Sequence, residues 1–562
     1  MILLNTLKRF KSLTLIFLIV CLCACSHQPS ELITTQAGDI QGYEKKEVNY
    51  FLGVPFAKPP ISELRWRAPV KPSSWQGVLK TQKVGPKCMQ PTNVGNTQFL
   101  NLMLNGFGVD WYKKLIIKSL AFLGAYISPV QYSEDCLYLN VIAPKKAKDL
   151  PVMFWIHGGA GRFGFGGEKM YLSSRFAKKD VILVTINYRL GSLGWFAHPE
   201  LSKESPNGVS GNYGTLDMIF ALKWVKDNIK TFGGDSKNIT IFGESAGGQA
   251  VATLLTSPLS KGLFHKAISQ SGSGIWNTRE LKSSKRTISA EAIGVQLASE
   301  FGVENNKQAL KQLRSISAEA FIQLSDPIKD SQLISSVTQN IDGYVFPNHF
   351  HIAFKEALTH RVPYITGFNA NEGSSLFPLI MPKSMFETTF PDSNWLERFW
   401  EGNTQSFKGD LPLEVKNYVA ALNLKKYDAA AQLWGDLFFG APAYYTAQKR
   451  NEDGLATYLY FFNRAIPSEK QTLGATHALE LSYLFGSFFP FVAQDEWDHT
   501  LSDRMLSDWV SFAKQGKPNK DWPLFLKSKP LAKVYSDTIV TDQLKAHRFF
   551  QSLSDFIDAQ KE

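Results

Sequence analysis

The residues best placed to do chemistry are Gly243-x-Ser245-x-Gly247, which lie between two short segments of contrasting character. Residues 239–242 are β-branched and aromatic and predict a buried strand, whereas the chain from Ala246 onward can begin a helix. So sharp a turn strains its central residue, and the two glycines provide the space that it needs. We therefore expect the hydroxyl group of Ser245 to stand clear at the top of a sheet and to act as a nucleophile.

An attacking serine also needs a site for the negative oxygen that forms on its substrate. The apolar run 152–156 predicts a second buried strand, and it ends in the small-residue turn His157-Gly158-Gly159-Ala160-Gly161. Backbone N–H groups can converge on one oxygen in such a turn, joined by the N–H of Ala246 directly after the serine. The sequence thus predicts an oxyanion site beside the nucleophile.

A base and an acid follow further along the chain. Glu372 comes shortly after a strand-like run at 363–367, and His477 lies in the turn 474–478. Taken singly, such a glutamate is usually a turn residue, and such a histidine is usually a surface or core residue whose hydrogen bonds are satisfied. The order Ser245, Glu372, His477 is the chain order of the α/β-hydrolase triad, and the ordered set predicts these three as nucleophile, acid and base.

The elements around these residues alternate between strand and helix patterns. Residues 181–186 predict a strand and residues 216–229 a helix, as in a doubly wound sheet. The 562 residues are 44% hydrophobic and show neither an internal repeat nor a Pro/Gly/Ser-rich linker. We expect one large globular domain.

Several longer stretches resemble the type-B carboxylesterase family, which also contains the cholinesterases and the bacterial para-nitrobenzyl esterases. Residues 232–247 are similar to the family's serine pattern at every defined position, and residues 134–141 are similar to its second pattern. Family-like stretches run from 51–60 to 512–519. The resemblance therefore covers nearly the whole chain after residue 30.

This resemblance implies an α/β-hydrolase fold over residues 26–562, with a mostly parallel central sheet and helices on both faces. It implies that Gly159, Ala160 and Ala246 donate the N–H bonds to the oxyanion. Relatives often have glycine at the position of Ala160. A backbone donor does not require glycine, so we expect the oxyanion site to persist with less space on its acyl side.

The first 25 residues predict a separate, exported leader. Three basic residues at positions 8, 9 and 11 precede the apolar run 13–22, which is too short to span a bilayer comfortably. The run closes on Leu22-Cys23-Ala24-Cys25, which resembles a bacterial lipobox with Cys25 as the lipidated first residue of the mature protein. An ordinary cleaved signal peptide is the alternative. Position 26 is not Asp, and the absence of Asp at this position resembles lipoproteins that are sorted to the outer membrane. We therefore expect the protein to be anchored in the outer membrane or at the cell surface.

The cysteines agree with export. Of the five, those at 21 and 23 would leave with the leader and Cys25 would carry lipid, which leaves Cys88 and Cys136. An even pair suits an oxidising compartment, and the family resemblance implies that these two form a disulfide. Two buried free thiols are the alternative.

Charge and composition argue against several classes of function. The net charge is +11, or +8 without the three basic residues of the leader, and the lysines are scattered rather than clustered. A nucleic-acid partner has little support, whereas affinity for anionic lipid surfaces is compatible with this charge. No Cys/His spacing indicates a metal site and no glycine-rich phosphate loop follows a strand, so we expect neither a metal nor a cofactor.

One region departs from the usual family pattern. Between Cys88 and Cys136, residues 99–104, 111–112 and 115–123 are rich in large apolar side chains. In the family this loop borders the entrance to the nucleophile. The region is expected to form either an apolar rim, lid or membrane contact, or two short helices packed on the body of the enzyme.

Together these features predict a serine hydrolase that cleaves small-molecule carboxylic esters through an acyl-enzyme. A lipase or polyester hydrolase acting on long-chain substrates is one alternative, because the apolar region could admit long acyl chains. A non-catalytic, adhesion-type relative of the same fold is the other, although such proteins usually lose a triad residue. Neither the natural ester nor the oligomeric state follows from the sequence.

Overall fold

A large twisted sheet runs through the whole molecule. The computed structural model describes residues 28–91, 95–127, 131–272, 274, 278–282, 288–324, 337–404, 407, 409–489 and 492–560. In chain order the strands are β1 Gln28–Thr34, β2 Asp39–Lys45, β3 Val48–Pro55, β4 Val78–Lys80, β5 Lys87–Cys88, β6 Tyr132–Ser133, β7 Tyr138–Pro144, β8 Leu150–Ile156, β9 Ile182–Ile186, β10 Gly234–Glu244, β11 Lys266–Gln270, β12 Arg279–Glu280, β13 Asn340–Ile341, β14 Tyr364–Asn369, β15 Thr457–Phe462, β16 Leu531–Tyr535 and β17 Ile539–Gln543.

The central strands of this sheet are parallel and its two edges are antiparallel. The spatial order is β1-β2-β3-β7-β9-β8-β10-β11-β14-β15-β16-β17, with β4 pairing beside β2. Every neighbouring pair from β9 to β16 is parallel. Parallel strands are covered on both faces, which explains why β8 and β9 read as continuous apolar runs.

Helices cover both faces of the sheet. In chain order they are α1 Gly95–Gly106, α2 Trp111–Ile127, α3 Gly191–Trp195, α4 Pro199–Glu204, α5 Tyr213–Asn228, α6 Ala246–Thr256, α7 Ala290–Ser299, α8 Ala309–Ser315, α9 Ala318–Leu324, α10 Phe350–Lys355, α11 Gly373–Ile380, α12 Lys383–Thr389, α13 Trp395–Asn403, α14 Leu413–Ala421, α15 Lys426–Gly435, α16 Ala441–Glu452, α17 Leu479–Phe485, α18 Glu496–Gln515 and α19 His547–Asp558. A π-helical turn, Asp436–Gly440, joins α15 to α16.

The side chains of each central strand alternate between two hydrophobic cores. Along β8, Phe154 and Ile156 belong to one core, whereas Met153 and Trp155 belong to the other. This alternation follows from the two-residue period of a strand. The expected mostly parallel sheet with helices on both faces is therefore confirmed, in one continuous body.

The apolar region between the two cysteines forms α1 and α2. The Sγ atoms of Cys88 and Cys136 are joined in a disulfide that encloses both helices. In α1, Met103 and Leu104 are buried, so this helix packs on the body. No helix in the described ranges has both the length and the apolar character needed to cross a bilayer.

Candidate active site

Ser245 lies at the turn between β10 and α6, where the sequence predicts it. Its φ of 57° and ψ of −123° give it a backbone conformation that residues other than glycine rarely adopt. The N–H of Ser245 donates to the carbonyl oxygen of Gln270 at 2.9 Å. A Cβ atom added at Gly247 would lie 2.1 Å from the backbone oxygen of Ile156, so only glycine fits there. The hydroxyl group is thus carried on a strained turn that the surrounding strands enforce.

The turn after β8 lies directly against the serine. A Cβ atom on Gly158 would come within 3.1 Å of the Cβ of Ser245. Gly159 and Ala160 both have positive φ, at 105° and 55°, so the backbone bends sharply directly after this contact. The structure therefore brings Gly158, the residue directly before the expected oxyanion donors Gly159 and Ala160, beside Ser245.

A stacked pair of aromatic rings supports the same turn. The rings of His157 and Tyr188 stack with their centroids 4.4 Å apart, and the Tyr188 hydroxyl donates to the His157 carbonyl oxygen at 2.8 Å. Burial lowers the pKa of His157 to about 4, so its ring is neutral near pH 7. His157 is thereby a support of the oxyanion turn and not a proton carrier.

Glu372 and His477 meet as the sequence predicts. Nδ1 of His477 lies 2.5 Å from Oε2 of Glu372, and both residues are buried. The other carboxylate oxygen, Oε1, accepts hydrogen bonds from the Ser271 hydroxyl at 2.6 Å and the Asn369 N–H at 2.7 Å. These bonds fix the carboxylate, which in turn fixes the orientation of the imidazole ring.

A second carboxylate, not expected from the sequence, faces the other side of the ring. Nε2 of His477 lies 3.0 Å from Oε1 of Glu244, the residue immediately before Ser245. Among the described residues, no hydrogen bond joins His477 to the Ser245 hydroxyl. The triad elements are assembled, but in the free protein Glu244 is the polar neighbour of Nε2.

A third buried carboxylate completes the cluster. Glu480 lies in the first turn of α17, three residues after His477, and accepts hydrogen bonds from Asn369 Nδ2 at 2.7 Å and Gln270 Nε2 at 3.1 Å. Its position three residues after the histidine, at the start of α17, is the sequence signal that could have revealed it. Glu244 has no comparable signal, since the residue between the glycine and serine of such a turn is free to vary.

Burial and charge together set the protonation of this cluster. Burial raises the pKa of Glu480 to about 7 and also raises that of Glu244, although the positive charge of His477 beside Glu244 favours its carboxylate form. Burial opposes a charge on His477, but the carboxylates of Glu244 and Glu372 outweigh it and raise the pKa of His477 to about 9. His477 therefore holds its proton more strongly in this cluster than a histidine in water does.

An aromatic side chain packs against the ring of the histidine. The ring of Phe439, from the π-helical turn Asp436–Gly440, lies 4.6 Å from the imidazole ring of His477, centroid to centroid. At the base of the same turn, the buried Asp436 accepts a hydrogen bond from the Tyr418 hydroxyl at 2.6 Å. Phe439 excludes water from one face of the imidazole, and π-helical turns are frequent at functional sites.

Helix α1, one of the two helices that the disulfide encloses, borders this site. The backbone oxygen of Gly106, at the end of α1, accepts a hydrogen bond from the N–H of Thr472 at 2.7 Å. Thr472 begins the segment that leads to His477, and α1 also packs against α11, which starts directly after Glu372. The family resemblance implies that this region borders the entrance to the nucleophile, and the structure places α1 beside the site.

The described residues offer no place for a metal ion: none of their His, Cys, Asp and Glu side chains form a group that could hold one. The proposed lipid site, Cys25, lies outside the described residues, together with the rest of the leader.

A profile of the carboxylesterase family matches residues 29–550. The chain belongs to the carboxylesterase family. It is similar to the fumonisin B1 esterase of Sphingopyxis macrogoltabida, with 33% identity over 518 residues that cover 89% of this chain and 86% of the relative. It is also 32% identical to the para-nitrobenzyl esterase of Bacillus subtilis (strain 168), over 88% of this chain and 92% of that protein.

Solved structures of this carboxylesterase family share the fold. A para-nitrobenzyl esterase superposes with a TM-score of 0.76 at 29% identity, covering 94% of this chain and 99% of the other. A carboxylesterase of Geobacillus stearothermophilus gives a TM-score of 0.75 at 29% identity, over 93% and 99% of the two chains. The protein is thus an α/β-hydrolase and a serine hydrolase of carboxylic esters. The comparisons do not favour the alternatives of a long-chain lipase, a polyester hydrolase or a non-catalytic adhesion protein.

Proposed function

We propose that Ser245, His477 and Glu372 carry out ester hydrolysis through an acyl-enzyme. The observation that carries this assignment is the 2.5 Å contact between His477 and Glu372 beside a serine held at a φ of 57°. His477 takes the proton of Ser245 as the serine oxygen attacks the ester carbonyl, and Glu372 stabilises the resulting imidazolium. The alcohol leaves with that proton, and water then repeats the sequence on the acyl group.

The N–H groups of Gly159, Ala160 and Ala246 are proposed to bind the oxyanion during both steps. The close approach of the 157–161 turn to Ser245 supports this role, because donors must lie near the oxygen that becomes charged. For attack to occur, the serine oxygen must approach Nε2 of His477, where Glu244 lies in the free protein. Hydrogen bonds of this kind often tighten only when substrate is bound.

The first test removes the nucleophile. Replacing Ser245 with Ala should lower kcat for p-nitrophenyl acetate by on the order of 10⁶, leaving only the effect of the oxyanion site and of binding. Ser315→Ala, at the exposed end of α8, is the matched control and should retain wild-type activity. An organophosphate should label Ser245 in the wild type and in the control. Retention of more than about a tenth of wild-type activity by Ser245→Ala would overturn the assignment.

We also propose that residues 1–25 are a lipoprotein leader and that Cys25 anchors the esterase to the outer membrane or the cell surface. The basic residues, the short apolar run and the Leu22–Cys25 box support this proposal. A lipid anchor would hold the enzyme where hydrophobic esters partition, without a membrane-spanning helix.

Metabolic labelling with a palmitate analogue tests the anchor. Wild-type protein should be labelled, and Cys25→Ser should lose the label because the acceptor sulfur is absent. Cys21→Ser removes a cysteine from the same leader outside the box, and it should keep the label. Label that persists in Cys25→Ser contradicts the lipoprotein proposal while leaving the esterase assignment untouched.

A further inference from the structure

Helix α2 presents large apolar side chains to solvent. Trp111 is 76% exposed and Leu115 is 60% exposed, and Tyr112 and Ile116 are also exposed at 48% and 43%. Their spacing places all four on one side of the helix, whereas Ile117 packs inward against the core. We name these four exposed side chains the α2 face. So many large apolar groups on one helix face indicate a contact that the isolated chain does not make.

The neighbouring helix shows that this exposure is not shared by the whole apolar region between Cys88 and Cys136. In α1, the side chains of Met103 and Leu104 are almost completely buried, and Phe107, just after the helix, is buried as well. The sequence treats residues 99–123 as one apolar region. The structure separates it into a packed helix and a second helix with an uncovered face.

The charges around the α2 face are positive. Residues 111–127 include three lysines and no acidic residue. The nearby carboxylate of Asp110 is already engaged by Lys470 at 2.8 Å and by Lys113 at 3.4 Å, and Glu469 lines the same pocket as these residues. Lys118 is exposed beside the apolar side chains. The surface therefore combines an apolar face with an excess of lysines over carboxylates.

We propose that the α2 face docks on an anionic phospholipid bilayer. An interfacial helix buries its apolar face about 5–10 Å into the boundary between headgroups and acyl chains, while lysines at its edges contact the headgroups. Trp111 and Tyr112 are the residue types that prefer this boundary. The proposed anchor at Cys25 would end only two residues before β1 and would keep the protein at such a surface, but docking itself does not require it.

The lysines favour lipid over a second copy of the chain. In a two-fold dimer the same surface patch occurs on both partners, so Lys118 and its neighbours would face like charges. A stable protein interface also needs about 800 Å² from each partner, which four side chains do not supply. Because α1, the helix that precedes α2, is hydrogen-bonded to the segment before His477, docking through α2 would bring this side of the molecule close to the membrane, where hydrophobic esters are concentrated.

Quenching of tryptophan fluorescence by brominated phospholipids tests the docking. Full-length protein is reconstituted with vesicles of brominated phosphatidylcholine and phosphatidylglycerol. Of the 13 tryptophans, Trp111 is the one that the described part of the chain exposes to solvent, so contact with the brominated lipids should quench its share of the fluorescence. The double variant Leu115→Ser/Ile116→Ser keeps this reporter and should lose most of the quenching. The matched control Leu413→Ser/Leu424→Ser removes two exposed leucines at 65% and 49% exposure elsewhere and should retain it. Turnover of p-nitrophenyl acetate should be unchanged in both variants.

A second variant tests the electrostatic part and protects against misfolding of the first. Lys118→Glu should reduce the quenching on anionic vesicles. Equal quenching of the wild type and the Leu115/Ile116 variant overturns the proposal, as does equal quenching on neutral vesicles. So does a dimer, seen by light scattering in the wild type and lost in that variant, because the face would then join two copies. Flotation of the vesicles reports the Cys25 anchor separately.

Discussion

The protonation of a single imidazole ring is governed here by two carboxylates. Glu372 contacts one nitrogen of His477 at 2.5 Å and Glu244 lies 3.0 Å from the other. Both charges stabilise the imidazolium that forms when Ser245 attacks. The same charges also keep a proton on the resting histidine, which must be neutral to act as a base. The arrangement favours the charged transition state while moving activity toward higher pH.

This balance predicts a shift in the pH profile of a conservative variant. Glu244→Gln keeps the shape of the side chain but removes its charge, so the pKa of His477 should fall from its raised value. Below its pKa the histidine is protonated and inactive, and the acid limb of kcat/KM should therefore move to lower pH by about one to three units. The measurement is kcat/KM for p-nitrophenyl acetate from about pH 5 to about pH 10.

Glu319→Gln, on the exposed surface of α9, controls for the loss of a remote charge and should leave the profile in place. If the acid limb of Glu244→Gln coincides with that of the wild type, Glu244 carries no charge in the free enzyme and its influence on His477 is refuted.

At the scale of elements, the strand–turn–helix around Ser245 determines where the nucleophile stands. β10 is held between β8 and β11, and α6 starts at the next residue after the serine. Gly247 lies where the first turn of α6 passes the end of β8, so this contact leaves no room for a side chain. The position of one hydroxyl group thus depends on the packing of two strands and a helix.

Gly247→Ala should therefore displace the turn. Its Cβ would meet the Ile156 oxygen at 2.1 Å, and a shift of about 1 Å in a nucleophile can lower the rate by about 100-fold. Gly402, in α13, has no atom within 4 Å of an added Cβ, and Gly402→Ala should keep full activity and gain about 0.5–1 kcal/mol of stability. Activity against p-nitrophenyl acetate and urea unfolding report the two effects. Wild-type turnover by Gly247→Ala would refute this role of packing.

Elements with strong local patterns are predictable from the sequence, and those that depend on distant partners are not. The expected strand at 239–242 is part of β10, and the expected helix at 216–229 corresponds to α5, which begins three residues earlier. The π-helical turn that carries Phe439 has no such pattern, because residues 433–441 are mostly apolar and the sequence reads equally well as an ordinary helix. Likewise, periodicity cannot tell the buried α1 from the exposed α2 before their neighbours are known.

At the scale of the molecule, residues far apart in the chain reach one site because parallel strands end at the same edge of the sheet. Ser245 follows β10 and Glu372 follows β14, while His477 lies in the segment after β15. Helix α18 supports this edge from behind, where the Trp509 Nε1–H donates to Gln270 at 3.1 Å. Chain order alone is enough to predict the triad, since this topology fixes which loops meet. Chain order does not show that the carboxylates of Glu244 and Glu480 join this cluster; that depends on how β10 and α17 pack beside His477.

The disulfide acts at this same scale, because it closes a loop that contains α1 and α2. Cys88 and Cys136 are 48 residues apart, and in the chain-entropy model such a loop stabilises the fold by about 4 kcal/mol. The double variant Cys88→Ala/Cys136→Ala should lose about that much free energy of unfolding in urea. Wild-type protein treated with a thiol reductant should approach the variant, whereas the variant itself should not respond to reductant. A reductant effect of equal size on both proteins would mean that the bond is not the source of the stability.

Because α1 touches the segment before His477, we also expect the reduced enzyme to lose activity at lower urea concentrations than the oxidised one.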